Sequence, residues 1–544
     1  MGKFKSTVAL ANVKLPLKLA AILLASSSLL ASVLGLFRDR ILNGLYYSTY
    51  PQGIDAYTVA FTVPDFMFFI LVSGALSVTF IPVFNQRLAD GNKKSAWELS
   101  ASLLNLMAIV TFISSILIII FAEPLVRYIV GPGLDESSRA LAVSMMRVIA
   151  VNPFLFSIAT VISSMQQAIG RFVFFALAPT IYNIGIIIGA LVFTNGINLF
   201  GWQIFDGGIM GVALGVVLGS MMQLLVSCIG LFGMGFDYKF KIFWRNLGLK
   251  KVLSILPARS LDQGIDYING MVETNMASRM AAGSIRAYQQ ATALSNVPVN
   301  LIGVAISTAA FPKLTERLGQ NRPDLFKKEL QTVLRVIIWL SLPVAVVTFF
   351  ARGYLINFIK NGGDMVMANI LGILAIAIIF KSIYHIAARS FYAQQDTKTP
   401  LYISFFAIGL NIFLAIWFTL KLNLGTVGLA SAAAIVSFTE VCILFVAMSI
   451  RLKGIFDKVF IHAIARMTSA AGFMSLVTYL SVLIMPLNAN DQSFLSSFPK
   501  FFLIVVISLT TYVFLSWIFK LEEAEPIVEK TKRILFGGFK QTWR

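Results

Sequence analysis

Several polar side chains interrupt the apolar stretches of this 544-residue sequence at spacings that let them act together. Asp262, Asp266, Asn269 and Glu273 follow one another at steps of four, three and four, which puts them on one face of a helix. Such a face would bind a coupling cation, carry protons, or pair with Arg259 and Arg279. Lys381, His385 and Arg389 recur every four positions as a basic stripe. That stripe suits a diphosphate, because an ammonium or guanidinium neutralises phosphate in a low-dielectric cavity. Arg38-Asp39-Arg40 reads either as an interfacial cluster reaching lipid headgroups or as a cavity-lining cation oriented by Asp39. Asn411 is either a further oxygen ligand for a cation or a bonding partner between helices. His385 and His462 fall in different apolar stretches with no paired base or carboxylate beside them, so an enzyme is not expected.

The elements that must position these residues are membrane helices. Hydrophobic residues make up 58% of the sequence, charged residues only 13%, and the mean hydropathy is +0.82, a balance foreign to soluble chains of this length. Apolar spans are expected at 17–42, 55–84, 97–121, 139–168, 172–194, 208–232, 252–278, 287–312, 329–350, 366–392, 400–420, 426–449, 460–485 and 500–520. Each is near or above the roughly 20 residues that a bilayer core requires. The fold class is therefore an all-α polytopic membrane protein of about 14 helices. Loops are short and leave no room for a soluble catalytic domain.

The formal charge of +19 does not indicate nucleic acid. About 29 of the basic residues fall in the even-numbered loops and the two tails, and about 7 in the odd-numbered loops, so topology accounts for the excess. Both termini are expected in the cytoplasm. Cys228 and Cys442 lie in apolar spans without ligand spacing, so neither a disulfide framework nor a metal site is expected. The first span continues past Gly35 to Arg38, too long for a cleaved signal peptide.

The chain repeats itself. Ser77, Pro82 and Arg87-Leu88 are matched in order and spacing by Ser307, Pro312 and Arg317-Leu318. Gln166-Gln167 with Asn183 is matched by Gln394-Gln395 with Asn411, and Gly208-x-x-Gly211 by Gly425-x-x-Gly428. These pairs predict two six-helix lobes, 1–235 and 236–455, followed by two further helices and a basic tail over 456–544. Six is even, so both lobes take the same orientation, with a pseudo-two-fold axis along the membrane normal and a cavity between them. Pro64, Pro82, Pro153, Pro298 and Pro343 fall within the spans and free carbonyls at kinks.

The motifs resemble those of a known family. Phe37-Arg38-Asp39-Arg40, Ile54-Asp55-Ala56-Tyr57 and Gly74-Ala75-Leu76-Ser77-x-x-Phe80-Ile81-Pro82-Val83 are similar to the N-terminal signature of the MurJ/MviN lipid II flippases. That family lies within the multidrug/oligosaccharidyl-lipid/polysaccharide exporter superfamily. Pro298-Val-Asn-Leu-Ile-Gly303 and Arg389-Ser-Phe-Tyr392-Ala-Gln394-Gln-Asp396-Thr397-Lys398-Thr-Pro400 resemble the same family. The resemblance implies a transporter of the bacterial inner membrane with a cationic central cavity. It would carry the lipid-linked peptidoglycan precursor, lipid II, to the outer leaflet by alternating access, beside the cell wall synthesis machinery. Other lipid-linked oligosaccharides, or drugs exchanged for a cation, are the alternative cargoes within the superfamily. Arg38, supported by Asp39 and Asp55, is the implied phosphate contact. Ser32, Phe68 and Ala293 stand where family arginines are expected, so either Lys381, Arg279 or Arg286 supplies the missing charge or the substrate is a different lipid-linked saccharide. A coupling cation would sit at Asp262 or Asp266 with Asn411. No cofactor is implied apart from that cation or the membrane potential.

Overall fold

The computed structural model describes residues 16–73, 79–199, 202–452, 454–488, 491–526 and 529. The N-terminal lysines Lys3, Lys5 and Lys14, the signature residues Gly74–Ser77 and the basic tail with Lys530, Lys532 and Arg533 lie outside them. The all-helical expectation holds, apart from one small hairpin, β1 (Ile197–Leu199) paired antiparallel with β2 (Trp202–Phe205). Among the described residues, thirteen helices are long and apolar enough to cross a membrane. The expected seventh span is a helix of 32 residues, Leu247–Ser278. It has the length, but Arg259, Asp262, Asp266 and Glu273 leave it less apolar than the other thirteen. The chain forms two compact units, Met1–Arg286 and Ala287–Arg544, and this seventh helix belongs to the first.

The first unit contains α1 (Leu17–Leu42), α2 (Pro51–Phe68), α3 (Ile81–Ala89), α4 (Lys93–Pro124), α5 (Glu136–Ile149), α6 (Asn152–Ile169), α7 (Val173–Leu191), α8 (Met210–Ile229) and α9 (Leu247–Ser278). It ends in the first turn of α10 (Ser284–Pro298). Two expected spans are interrupted. The second breaks after Phe68 into a π-helical turn, Phe69–Ser73, and resumes as α3. The fourth breaks at Ala150–Val151 between α5 and α6. Pro82 and Pro153 therefore sit in helix first turns, where a missing N–H costs nothing, rather than at kinks. The tightest packing joins α7 to α8. A Cβ on Gly185 would lie 2.2 Å from the Gly219 Cα, and one on Gly189 would lie 2.4 Å from the Gly215 Cα. Only hydrogen fits there, so the two backbones touch, and dispersion between them replaces the hydrophobic force that lipid cannot supply.

The second unit contains the rest of α10, α11 (Ala305–Gly319), α12 (Pro323–Phe350), α13 (Arg352–Ile359), α14 (Met365–Ala393), α15 (Lys398–Ile416), α16 (Gly425–Arg451), α17 (Lys458–Ile484) and α18 (Phe494–Ile518). Its core is aliphatic and aromatic, built around Leu334, Ile337, Tyr354, Phe391, Met474 and Tyr512. A π-helical turn, Val299–Val304, joins α10 to α11 and packs on α14. A Cβ on Gly303 would lie 2.6 Å from the Ser382 Cα. Helix starts are capped by side chains: the Asp364 carboxylate accepts the Met367 N–H at 2.8 Å, and Asp457 accepts that of Phe460 at 2.8 Å.

Candidate functional site

The charge expected in α1 lies in a buried network of the first unit. Asp39 Oδ1 accepts hydrogen bonds from Arg38 Nε at 3.2 Å, Arg38 Nη2 at 3.0 Å and Arg286 Nη2 at 3.1 Å. Arg38 Nη1 also donates to Asn183 Oδ1 on α7 at 3.0 Å, and Asn183 Nδ2 donates in turn to the carbonyls of Ala31 and Pro179. Arg286 Nε donates to Asn43 Oδ1 at 3.0 Å. Asn43 lies one helical turn beyond Asp39, which explains how a single α1 face serves both ends of the guanidinium.

Asp55, on α2, has a different role. Its Oδ2 accepts the Gly283 N–H at 2.7 Å and its Oδ1 the Arg286 N–H at 2.9 Å. The carboxylate thus satisfies orphan amides at the start of α10, where negative charge is favoured by the helix dipole. Gly283 turns through φ +89°, a conformation that suits glycine. Arg38 and Arg286 balance Asp39 and Asp55 in formal charge, as burial in a low-dielectric region requires.

The two arginines differ in what they can still do. The Arg286 side chain is 5% exposed and that of Arg38 is 24% exposed. A guanidinium carries five N–H donors. Arg38 commits three of them to Asp39 and Asn183, leaving two for a ligand. Arg286 is buried and bonded to Asp39 and Asn43, whereas Arg38 is the more exposed of the two and keeps two N–H donors.

Other candidate residues are placed separately. Arg279 ends α9 exposed, with its Nε donating to Asn275 Oδ1 at 3.3 Å, and takes no part in the network. Asp262 and Asp266 lie on α9, outside the residues whose side chains are described. Asn269 Nδ2, on the same face, donates to Glu273 Oε1 at 3.1 Å. Asn411 is buried in α15. Lys381 is half-buried in α14 and makes no hydrogen bond or ion pair with a described residue. Two turns further along, Arg389 Nη1 donates to the Val304 carbonyl at 3.0 Å and to Ser307 Oγ. The same carbonyl also accepts the Ser307 hydroxyl at 3.2 Å and the Thr308 hydroxyl at 2.6 Å. Ser32 donates back to the Ser28 carbonyl at 2.9 Å, Phe68 packs edge-on against Phe156 at 5.5 Å, and Ala293 is exposed.

Sequence reasoning missed Asp65. Its carboxylate lies in α2 next to Pro64, bonded to no described residue, and both Tyr57 and Tyr182 are within electrostatic reach of it and of Arg38. The signal was available, since a single acid within an apolar span is costly without a cavity or partner.

A family model described as Lipid II flippase MurJ matches residues 52–498. The chain belongs to the MurJ lipid II flippase family. Within that family, the probable lipid II flippase MurJ of Thermotoga maritima is 25% identical over 508 residues, 92% of this chain and 96% of the relative. The lipid II flippase MurJ of Burkholderia cenocepacia is 26% identical over 409 residues, 72% of this chain and 76% of the relative. A MurJ structure in an inward closed conformation shares the fold with a TM-score of 0.72 at 23% identity, over 92% of this chain and 98% of its own. An inward-facing MATE transporter of the MOP superfamily follows at 0.64 and 16% identity, over 80% of this chain and 99% of its own. Like the rest of the MurJ family, the chain is a multi-pass bacterial membrane protein and a transporter by kinship.

Proposed function

We propose that this protein moves lipid II from the cytoplasmic to the outer leaflet by alternating access, supplying peptidoglycan synthesis. The observation that carries the reading is the flippase family match over residues 52–498. Arg38 is the phosphate contact, with Asp39 and Asn183 holding its guanidinium and leaving two N–H donors toward the ligand. Lys381 is a further candidate phosphate contact within the second unit, because nothing described in that unit neutralises it. Asp262 or Asp266 holds the coupling cation when transport is driven by one. Both termini face the cytoplasm, as the loop-by-loop alternation of basic residues supports. The reaction leaves the lipid chemically unchanged, so the protein acts as a transporter and not an enzyme. The cell wall synthesis machinery consumes its product.

Complementation of lipid II flippase depletion tests this, with outer-leaflet accessibility of lipid II as the readout. Wild type rescues, while Arg38→Ala and Lys381→Ala reduce accessible lipid II at equal membrane abundance. Failure of the wild type to rescue at normal abundance would point to another lipid-linked oligosaccharide.

A further inference from the structure

A second polar site lies in the C-terminal unit, away from every residue placed in transport. Lys458, His462 and Arg466 recur every four positions along α17 and line a recess of about 320 Å³ with Arg335 and with Lys520 and Glu522 beyond the end of α18. We propose that this recess binds the headgroup of an anionic phospholipid.

The charges are unbalanced in the required sense. Arg335 is already neutralised, by Glu522 at 3.1 Å and Glu523 at 2.5 Å. The His462 Nδ1 is held at 2.6 Å by the Lys458 carbonyl. The side chains of Lys458, Arg466 and Lys520 make no hydrogen bond or ion pair with a described residue. Four basic side chains, Arg335, Lys458, Arg466 and Lys520, therefore face two carboxylates, Glu522 and Glu523, and the surroundings of the recess keep an excess of positive charge.

Depth distinguishes this recess from an ordinary basic loop. Lys458 opens α17 and Lys520 follows α18, so both stand at the membrane boundary. Arg466 lies eight residues further along α17, about 12 Å deeper at 1.5 Å per residue. It is exposed on the protein surface. An unpaired guanidinium facing hydrocarbon costs on the order of 3 kcal/mol, whereas one that reaches back to a phosphate forms a charge-assisted hydrogen bond. Basic recesses between membrane helices hold anionic headgroups in this way. Exposed Val459, Ile461, Trp517 and Ile518 flank the cations and offer apolar surface to acyl chains, which a free phosphate would not use.

The test titrates the purified full-length chain in detergent with short-chain phosphatidylglycerol or phosphatidylcholine and counts bound lipid by native mass spectrometry. Wild type binds phosphatidylglycerol at least tenfold more tightly. The Lys458→Gln/Arg466→Gln double variant loses that preference, and Arg466→Lys keeps most of it. Lys520→Gln, beyond the last span, loses part of the preference and serves as the second variant should the double variant fail to fold. Equal binding of the two lipids by wild type, or an undiminished preference in the variants, overturns the proposal. So does displacement of phosphatidylglycerol by millimolar inorganic phosphate, which would assign a free anion instead. None of these readouts depends on transport.

Discussion

Asn183 and Asn411 hold matching places in the two halves, each buried in the helix after a Gln-Gln pair, yet their surroundings diverge. Asn183 orients Arg38 within a network in which two guanidinium groups meet one carboxylate. In the second unit the cations of α14 and α17 meet carbonyls, hydroxyls or no described partner. The helix pairs around these asparagines diverge in the same way. In the first unit α7 and α8 touch backbone to backbone through Gly185, Gly189, Gly215 and Gly219. In the second, Gly409 of α15 has no atom within 4 Å of where its Cβ would stand. A repeated scaffold fixes where helices run. The side chains placed on it decide which half is locked and which keeps charge available.

The contrast is most exposed to refutation at the shared carboxylate. Asp39→Ala strands two cations, and breaking a buried pair of this kind costs about 3–5 kcal/mol. Unfolding in a denaturing detergent should show that loss for Asp39→Ala and for Arg286→Ala, while Lys381→Ala leaves stability nearly unchanged. An equally large loss for Lys381→Ala would reveal a partner in the second unit and collapse the distinction.

The helix pairs give a smaller effect of both signs. Gly185→Val forces α7 from α8 and should cost about 1–3 kcal/mol, the usual range for overpacking. Gly409→Ala meets nothing and should stabilise by about 0.5–1 kcal/mol through the backbone freedom it removes. Thermal melting of the two variants beside wild type checks the pair.

Acid sharpens the comparison least. Asp135, before α5, is lowered to about 2 by hydrogen bonds from the Ser137 and Ser138 hydroxyls and the Ser138 amide. Asp396, before α15, is lowered by the Thr399 hydroxyl and amide and then by Arg451. A lowered carboxylate contributes stability above its unfolded pKa, roughly 3.9. That contribution fades as pH falls through the folded value. Asp135→Asn should therefore flatten the loss of melting temperature between about pH 4 and about pH 2, and Asp396→Asn should flatten a loss that continues to more acidic pH. Unchanged melting profiles would show that neither loop carboxylate contributes.

The spans were legible in the sequence because a bilayer demands some 20 apolar residues wherever it is crossed. The interruptions at Phe69–Ser73 and at Ala150–Val151 were not, since a break of a few residues leaves the hydropathy intact. Spacing also put Lys381, His385 and Arg389 on one helix, where α14 carries them. It could not reveal that Arg286 meets Asp39 and Asn43, because those partners lie 247 and 243 positions away and helix periodicity reports only neighbours within a turn or two. Arg286, expected as a replacement phosphate contact, is found buried with its side chain donating to Asp39 and Asn43. Asp65 escaped notice for the opposite reason: it has no periodic companion to mark it.

The bond from Asp55 to the amides of Gly283 and Arg286 spans 228 and 231 positions of chain. At about 5–20 residues per second, a ribosome needs roughly 11–46 s to make the partners of a carboxylate already in the membrane. During that interval the early helices wait with a group they cannot satisfy alone. The N-terminal unit therefore closes only once the first turn of α10 has been made, so its last long-range contact is also the last of its chain to be synthesised.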